Sequence, residues 1–159
     1  SMSTTSRPLF SCCLPTQELR KSLVLRVCHL LAQHPTRIFP RNLKYVYTHW
    51  NDFIVIWDES GQKIACCEMK RLNGSHCELG ALASEFSWSL LCLIEKFNNT
   101  AKERWFTHGF AVSVNDGSKS LEKMKRWLWE PTGFPSGFPE KSKFDNTGKE
   151  KLSFVWPIS

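Results

Sequence analysis

Two short runs of β-branched and aromatic residues, separated by one turn, constrain the fold more than any other feature of this sequence. Residues 52–57 are rich in Ile, Val and Phe, and residues 63–70 form a second run. Between them, Asp58 stands at the first position and Gly61 at the fourth position of the turn Asp-Glu-Ser-Gly. This composition favours a type I turn that ends in a left-handed glycine. The segment is therefore predicted to form an antiparallel hairpin.

The length of the turn decides which side chains meet across this hairpin. If Asp58 pairs with Gln62, Asp52 lies directly opposite Glu68 and both side chains point to one face of the sheet. A two-residue loop would instead pair Asp52 with Cys67 and separate the two carboxylates. The first register follows from the turn composition, and it places two acids together.

The paired acids and a nearby lysine suggest a metal site. Lys70 lies two residues beyond Glu68 and points to the same face of the strand. Carboxylates that repel each other stay ionised when a divalent cation lies between them, and magnesium favours such oxygen ligands. A lysine beside a metal-bound water helps to deprotonate it, and both cations can neutralise a reacting phosphate. The alternative is a surface hairpin with ordinary solvated charges.

Hydrophobic spacing predicts the other elements. One apolar stripe on a long helix has spacings of three and four residues: Leu79, Leu82, Phe86, Leu90, Leu93 and Phe97. The predicted elements are a helix over 16–33, strands over 43–50, 52–57 and 63–70, a helix from about 79 to 98, a strand over 105–114, a basic helix over 118–129 and an edge strand over 151–156. This order predicts an α/β fold with a central mixed four-stranded sheet flanked by helices.

The chain length of 159 residues fits one domain. We expect a flexible segment over 1–15, a single domain over 16–129, and a Pro- and Gly-rich extension over 130–159 that packs on the domain. No run of about 18 apolar residues is present, so a membrane-spanning helix is not expected.

Seven cysteines without a CxxC pair suggest reduced thiols in the core. The first residues lack the basic and then apolar pattern of a secretory signal. We therefore expect an intracellular protein, nuclear or cytoplasmic.

Charge is distributed unevenly along the chain, which has a net charge of +6. Residues 1–50 carry seven bases and one acid, whereas residues 51–100 carry four bases and seven acids. Basic flanks around an acidic centre suit a protein that binds a polyanion and a metal, although a solvated surface explains the same charge. The candidate phosphate contacts are Arg37, Arg41, Lys44, Lys119, Lys123, Lys125 and Arg126, the last four beside Trp127 and Trp129.

The element order, α-β-β-β-α-β, and the Asp-x15-Glu-x-Lys spacing resemble the PD-(D/E)XK nuclease superfamily, which has the restriction-endonuclease-like fold. The matching segments are Asn51-Asp52 at the start of the second strand and Glu68-Met69-Lys70 on the third. Asn51 stands where the family motif has proline. The resemblance covers about residues 16–114.

This resemblance implies a nuclease that hydrolyses phosphodiester bonds of DNA or RNA with Mg²⁺ or Mn²⁺. It implies that Asp52 and Glu68 ligate the metal and that Lys70 activates the attacking water. Glu18 matches an additional acid that some members carry on the first helix.

Two alternatives use the same elements without catalysis. The superfamily includes inactive members that bind nucleic acid or proteins, because a fold does not by itself determine activity. A hairpin followed by a long apolar helix also resembles roadblock or longin scaffolds, which bind protein partners. Nucleic acid is the expected partner, no membrane contact is expected, and a homodimer or larger complex is possible.

Overall fold

The computed structural model describes residues 9–11, 17–34, 38, 41–58, 60–86, 89–127 and 130–159. Its helices are α1 (Gln17–Ala32), α2 (Leu43–Thr48), α3 (Ser89–Glu103) and α4 (Lys119–Trp127). Its strands are β1 (Leu9–Ser11), β2 (Phe53–Trp57), β3 (Ile64–Arg71), β4 (His76–Ser84), β5 (His108–Val114), β6 (Pro131–Thr132) and β7 (Lys151–Pro157).

The seven strands within the described residues belong to one mixed sheet with the order β1-β2-β3-β4-β5-β7-β6. Six of them have three to nine residues, and β6 is a two-residue edge strand. The β4–β5 pair is parallel, and the other described pairs are antiparallel. The α/β prediction is confirmed, but the prediction of four strands is wrong. The terminal segments add strands, and β7 lies between β5 and β6 rather than at the edge.

Helices cover both faces of the sheet, and alternate residues of β2 divide between two cores. Phe53 and Val55 pack with α1, whereas Ile54 and Ile56 pack with α3. This division follows from the two-residue period of a strand. The five described cysteines are free thiols, and three of them are buried. A sheet covered on both faces explains why β2 and β3 have apolar residues in succession.

The hairpin between β2 and β3 is confirmed, but its predicted register is wrong by one residue. Phe53, not Asp52, lies opposite Glu68. The Asp58 amide donates to the carbonyl of Lys63, so the loop has four residues instead of three. The Asp58 carboxylate accepts the amides of Gln62 and Lys63 and thereby closes the longer loop.

The strand predicted over 43–50 is instead α2 followed by a 3₁₀ turn over Trp50–Asp52. Asn42 caps this helix, since its side chain accepts the amide of Tyr45 at 2.8 Å. Val46 and Trp50 are buried four residues apart, which is a helical spacing. The aromatic residues between them made the segment resemble a strand.

The first part of the predicted long helix is strand β4, and α3 begins only at Ser89. Ala81 and Leu82 together lie opposite Cys67, because β4 contains a β-bulge. The extra residue places Leu79 and Leu82 in the same core cluster, three residues apart. The apolar residues of a bulged strand therefore have the same spacing as those of a helix.

Every helix in the described ranges is too short or too polar to cross a lipid bilayer. The longest, α1, has 16 residues. It carries Arg20 and Arg26, whose side chains bond to main-chain carbonyls of the α2 and hairpin regions.

We expect Gly109→Ala to destabilise the fold. A Cβ at Gly109 would lie 2.4 Å from the indole ring of Trp156, which packs on β5 from the neighbouring strand β7. Displacing this ring would also strain its hydrogen bond to Asn98. The free energy of unfolding should fall by about 1–3 kcal/mol, measured by urea denaturation. Gly74→Ala is the control, because nothing lies within 4 Å of a Cβ there.

Candidate functional site

A cleft opens in the middle of the sheet between the parallel strands β4 and β5. The two strands are paired from His76 and His108 to Glu78 and Phe110, which is three residue pairs. Beyond Glu78 they separate, and residues 80–84 and 111–114 line a cleft with a volume of about 520 Å³. The cleft therefore narrows toward Glu78.

The bulge in β4 explains why the strands separate. Ala81 has a positive φ of 48°, which is uncommon for a residue with a side chain. A bulge bends the strand and increases its local twist. On its other edge β4 stays paired with β3 at Cys66 and Ala83. The bend therefore turns β4 away from β5 without detaching it from the sheet.

The two sides of the cleft differ in chemistry. On the side of α3 and α4, the lining consists mostly of hydroxyl and apolar groups: Ser84, Ser89, Leu90, Lys123 and Met124. On the side of α2, the lining carries most of the charge: Arg41, Lys70, Glu78 and Lys151. We call this second side the charged side of the cleft.

Glu78 is the acid that lines this cleft among the described residues. Its side chain is half-buried, and no described residue donates a hydrogen bond to its carboxylate. Burial raises the pKa of Glu78 above its usual range, while the charges of Lys70, Lys151 and Arg41 act against that shift. A carboxylate in this setting is available to accept a proton from a ligand.

Glu68 lies on the same face of the sheet, but both oxygens of its carboxylate already accept a hydrogen bond. Its side chain is 1% exposed. One oxygen accepts Nε of Arg41 at 2.8 Å, and the other accepts the hydroxyl of Tyr45 at 2.5 Å. Burial and the bond to Glu68 raise the pKa of Tyr45 to about 12. The guanidinium of Arg41 thus neutralises the buried carboxylate, and the hydroxyl of Tyr45 donates a hydrogen bond to it, which is a structural role.

Asp52 does not lie opposite Glu68, contrary to the prediction. It ends the 3₁₀ turn before β2 and pairs with Arg104 at 2.9 Å. The one-residue change in register places the two acids at different positions, because neighbouring residues of a strand face opposite sides. No group of three or more His, Cys, Asp or Glu residues within the described ranges could hold a metal. The expected Mg²⁺ or Mn²⁺ cofactor is therefore not supported.

The other predicted site residues are dispersed. Lys70 is exposed and lines the cleft opposite Glu78. Arg41 is bonded to Glu68 and also lines the cleft, whereas Lys44 is exposed on α2. Arg37 and the side chain of Glu18 lie outside the described residues, as does Trp129. On α4, Lys123 lines the cleft, while Lys119, Lys125 and Arg126 are exposed.

Sequence reasoning missed the two residues that give the charged side its character. In the sequence, Glu78 lies just before the predicted apolar helix, and Lys151 begins the predicted edge strand. Lys151 is 8% exposed and pairs with Val114 across β5 and β7. Gly80 was the available signal, because glycine disfavours a helix interior and often marks a bulge in a strand.

No protein-family model and no curated protein sequence matches this chain. Its fold is similar to that of solved acetyltransferases. N-acetylglutamate synthase from Neisseria gonorrhoeae, solved with coenzyme A and N-acetyl-glutamate, superposes with a TM-score of 0.69 and 14% identity. The match covers 97% of this chain and 36% of that enzyme, so this chain spans about a third of its length.

Two shorter proteins match over their whole length. A Mycobacterium tuberculosis protein solved in complex with CoA has a TM-score of 0.71 at 10% identity, with 96% of this chain and 100% of that chain covered. A GNAT family acetyltransferase from Elizabethkingia anophelis with acetyl-CoA bound has a TM-score of 0.59 at 9% identity, covering 98% and 100%.

These similarities overturn the predicted nuclease. The structural neighbours are GNAT-type acetyltransferases rather than members of the PD-(D/E)XK superfamily. The element order of the two folds coincides in part, since both place helix, three strands, helix and strand in succession. The carboxylate pair that distinguished the nuclease reading is not formed here.

We expect Tyr45→Phe to destabilise the protein, because it leaves one oxygen of the buried Glu68 without its donor. The free energy of unfolding should fall by about 1.5–3 kcal/mol, the range for a hydrogen bond to a charged group. In a Glu68→Gln background the same substitution should cost about 0.5–1.5 kcal/mol, since the acceptor is then neutral. Equal costs in both backgrounds, measured by urea denaturation, would contradict this role of the Glu68 charge.

Proposed function

We propose that this protein is an N-acetyltransferase that uses acetyl-CoA and that Glu78 is its general base. The observation that carries the proposal is a carboxylate that accepts no hydrogen bond from the part of the chain that the structure describes, at the narrow end of a cleft between two separated parallel strands. The shared fold with CoA-bound acetyltransferases supports it. Because those neighbours are at most 14% identical to this chain, the activity rests on the site itself.

The cleft suits an extended, amide-bearing ligand such as the pantetheine arm of CoA. The edges of β4 and β5 that face each other lose their mutual pairing beyond Glu78. Main-chain groups of residues 80–84 and 111–114 therefore line the cleft, where a ligand can bond to them as an added strand would. Leu90 and Met124 add apolar surface on one side. The fold thus supplies both hydrogen-bonding edges and an apolar wall.

The opposite end of such a ligand is anionic and would meet the start of α3. This 15-residue helix has no acid in its first turn. Helix N-termini attract phosphate groups through unpaired amides and the helix dipole. The hydroxyls of Ser84 and Ser89 lie there, and Lys123 reaches the same side of the cleft from α4. These groups fit the pyrophosphate of CoA.

When bound, acetyl-CoA supplies an activated acetyl group: a carbon–nitrogen bond forms with the acceptor amine, the carbon–sulfur bond breaks, and CoA leaves as the thiolate, which takes a proton from solvent. Glu78 takes the proton that the amine loses. Its raised pKa makes it a stronger base than an exposed glutamate, while the cations around it act against that rise in pKa. The half-buried position also limits competition from water.

The basic residues predicted to bind nucleic acid have other roles in this proposal. Lys123 would contact CoA, and Arg41 holds Glu68 beside the cleft. The predicted homodimer or larger complex stays a prediction.

We expect Glu78→Gln to lower kcat by about 10²–10⁴-fold, the usual contribution of a general base. Binding of acetyl-CoA, measured by calorimetry, should change little because the amide preserves the size of the side chain. Glu95→Gln on the exposed face of α3 is the matched control and should keep full activity. Wild-type turnover by Glu78→Gln would remove Glu78 from the mechanism.

The pH dependence of kcat/KM provides a second expected result. A general base works as the carboxylate, so activity should rise as pH increases through the pKa of Glu78, which burial places above its usual range. Lys151→Met removes one of the cations that oppose this shift, so the rise should move to higher pH. A movement to lower pH would contradict the charge arrangement around Glu78.

Filling the cleft should abolish transfer without unfolding the protein. Gly80 lines the cleft, and a Cβ there would meet only a main-chain oxygen at 3.9 Å. The backbone therefore tolerates a side chain at this position, and Gly80→Leu, with folding checked by urea denaturation, should reduce kcat/KM by about 10²-fold through misplacement of the reactants. Gly74→Leu, in an open loop, is the control. Retained activity in folded Gly80→Leu would place the reaction outside the cleft.

A further inference from the structure

We propose that the acceptor is a small primary amine that also carries an anionic group, either a carboxylate or a phosphate. This inference rests on the proposed acetyl transfer and adds the chemical class of the acceptor. It follows from the charges that line the cleft, from the burial of Lys151 and from the position of Lys70 opposite Glu78.

The described lining of the cleft is strongly positive. Glu78 is its acid, and its cations are Arg41, Lys70, Arg71, Lys123 and Lys151. One of these, Arg41, is balanced by Glu68 through the bond at 2.8 Å. Cations thus outnumber acids in the described lining, and such a composition in a concave, partly enclosed site produces a field that attracts anions.

Lys151 is the least exposed of these cations, with 8% of its surface accessible. Burial lowers the pKa of Lys151, and the charges of Glu78 and Asp145 act against that shift. The core residues Leu152, Phe154 and Trp156 pack on the α3 side, so alternation places the Lys151 side chain on the charged side. An ammonium group held in the wall of a cleft is stabilised by an anion that enters it.

Lys70 approaches Glu78 from the neighbouring strand β3. It lies directly opposite Glu78 in the β3–β4 register, and its side chain is exposed. Lys70 on β3 thus pairs directly with the proposed base. Lys151 lies on β7 opposite Val114, with β5 between β7 and β4, and its charge acts on Glu78, as does that of Arg41 from the segment before α2. An anionic group bound by these cations would leave the amine of the same molecule within reach of Glu78.

The same cations favour the reactive form of the acceptor. An amine must lose its proton before it attacks, and nearby positive charge lowers the pKa of an ammonium group. A polyamine or a lysine-rich peptide would bring further positive charge into a positive cleft. Such acceptors are disfavoured by charge repulsion. In an amine that carries an anionic group, the cations of the cleft attract the anionic group and favour loss of the proton from the amine.

The test compares acceptors that differ only in the anionic group. Acetyl transfer from acetyl-CoA is measured with phosphoethanolamine against ethanolamine, with glycine against glycinamide, and with spermidine. At least one anionic amine should exceed its neutral partner in kcat/KM by about tenfold or more, the effect of one charge-assisted hydrogen bond. The advantage should shrink as salt concentration rises.

Three variants identify the groups responsible. Lys70→Met and Lys151→Met should each remove most of the preference for the anionic amine. Lys63→Met is the matched control, because Lys63 is exposed at the hairpin end of the sheet, and it should keep the preference. Since Lys70 is exposed, its variant should fold even if the replacement of buried Lys151 disturbs the core.

The outcomes separate this inference from the proposed function. Acetyl transfer to neutral amines or spermidine with equal or greater efficiency overturns the anionic acceptor and leaves the acetyltransferase intact. If no acetyl-CoA binding or transfer is found, the proposed function fails. Calorimetry with phosphoethanolamine and glutamate then tests the proposed anion-binding site independently of acetyl transfer. Binding that is lost in Lys70→Met supports the site, and the absence of binding overturns it.

Discussion

The separation of β4 from β5 is the constraint on which the rest of this structure depends. A sheet interior normally satisfies every main-chain group by pairing, so strands that part in the middle of a sheet leave polar edges facing a gap. The bulge at Ala81 bends β4, and the pairing of β4 with β3 and of β5 with β7 holds the two halves in place. The result is a cleft that passes between the two helical layers.

Glu68 and Glu78 lie on the same face of the sheet, and their different hydrogen-bond partners give them different roles. Glu68 is enclosed by Arg41 and Tyr45, so it acts as a structural anion that fixes the segment before α2 against the sheet. Nearby cations act on the charge of Glu78, but no described residue donates a hydrogen bond to its carboxylate. Its carboxylate is therefore free for a ligand. Because Arg41 is near both acids, the structural pair also helps to set the charge around the proposed base.

Several elements could be predicted because their signals are local. Three predicted features depend on neighbours in sequence, and the elements that they specify are present. They are the turn between β2 and β3, the apolar spacing of α1 and the basic segment of α4. The errors arose where two signals overlap. The bulge in β4 reproduced the spacing of a helix, and the aromatic residues of α2 resembled a strand. The hairpin register failed because the Asp58 side chain stabilises a loop one residue longer.

By itself, the sequence determined an α/β chain with a β2–β3 hairpin, basic flanks and buried thiols, since composition and short-range periodicity specify which residues must be covered. It did not determine the site. Glu78, Lys70 and Lys151 lie on three strands that come together through long-range pairing, and the cleft between β4 and β5 exists because a pairing ends. Only the tertiary structure decides these relations, because a one-residue change of register moves every side chain of a strand to the other face.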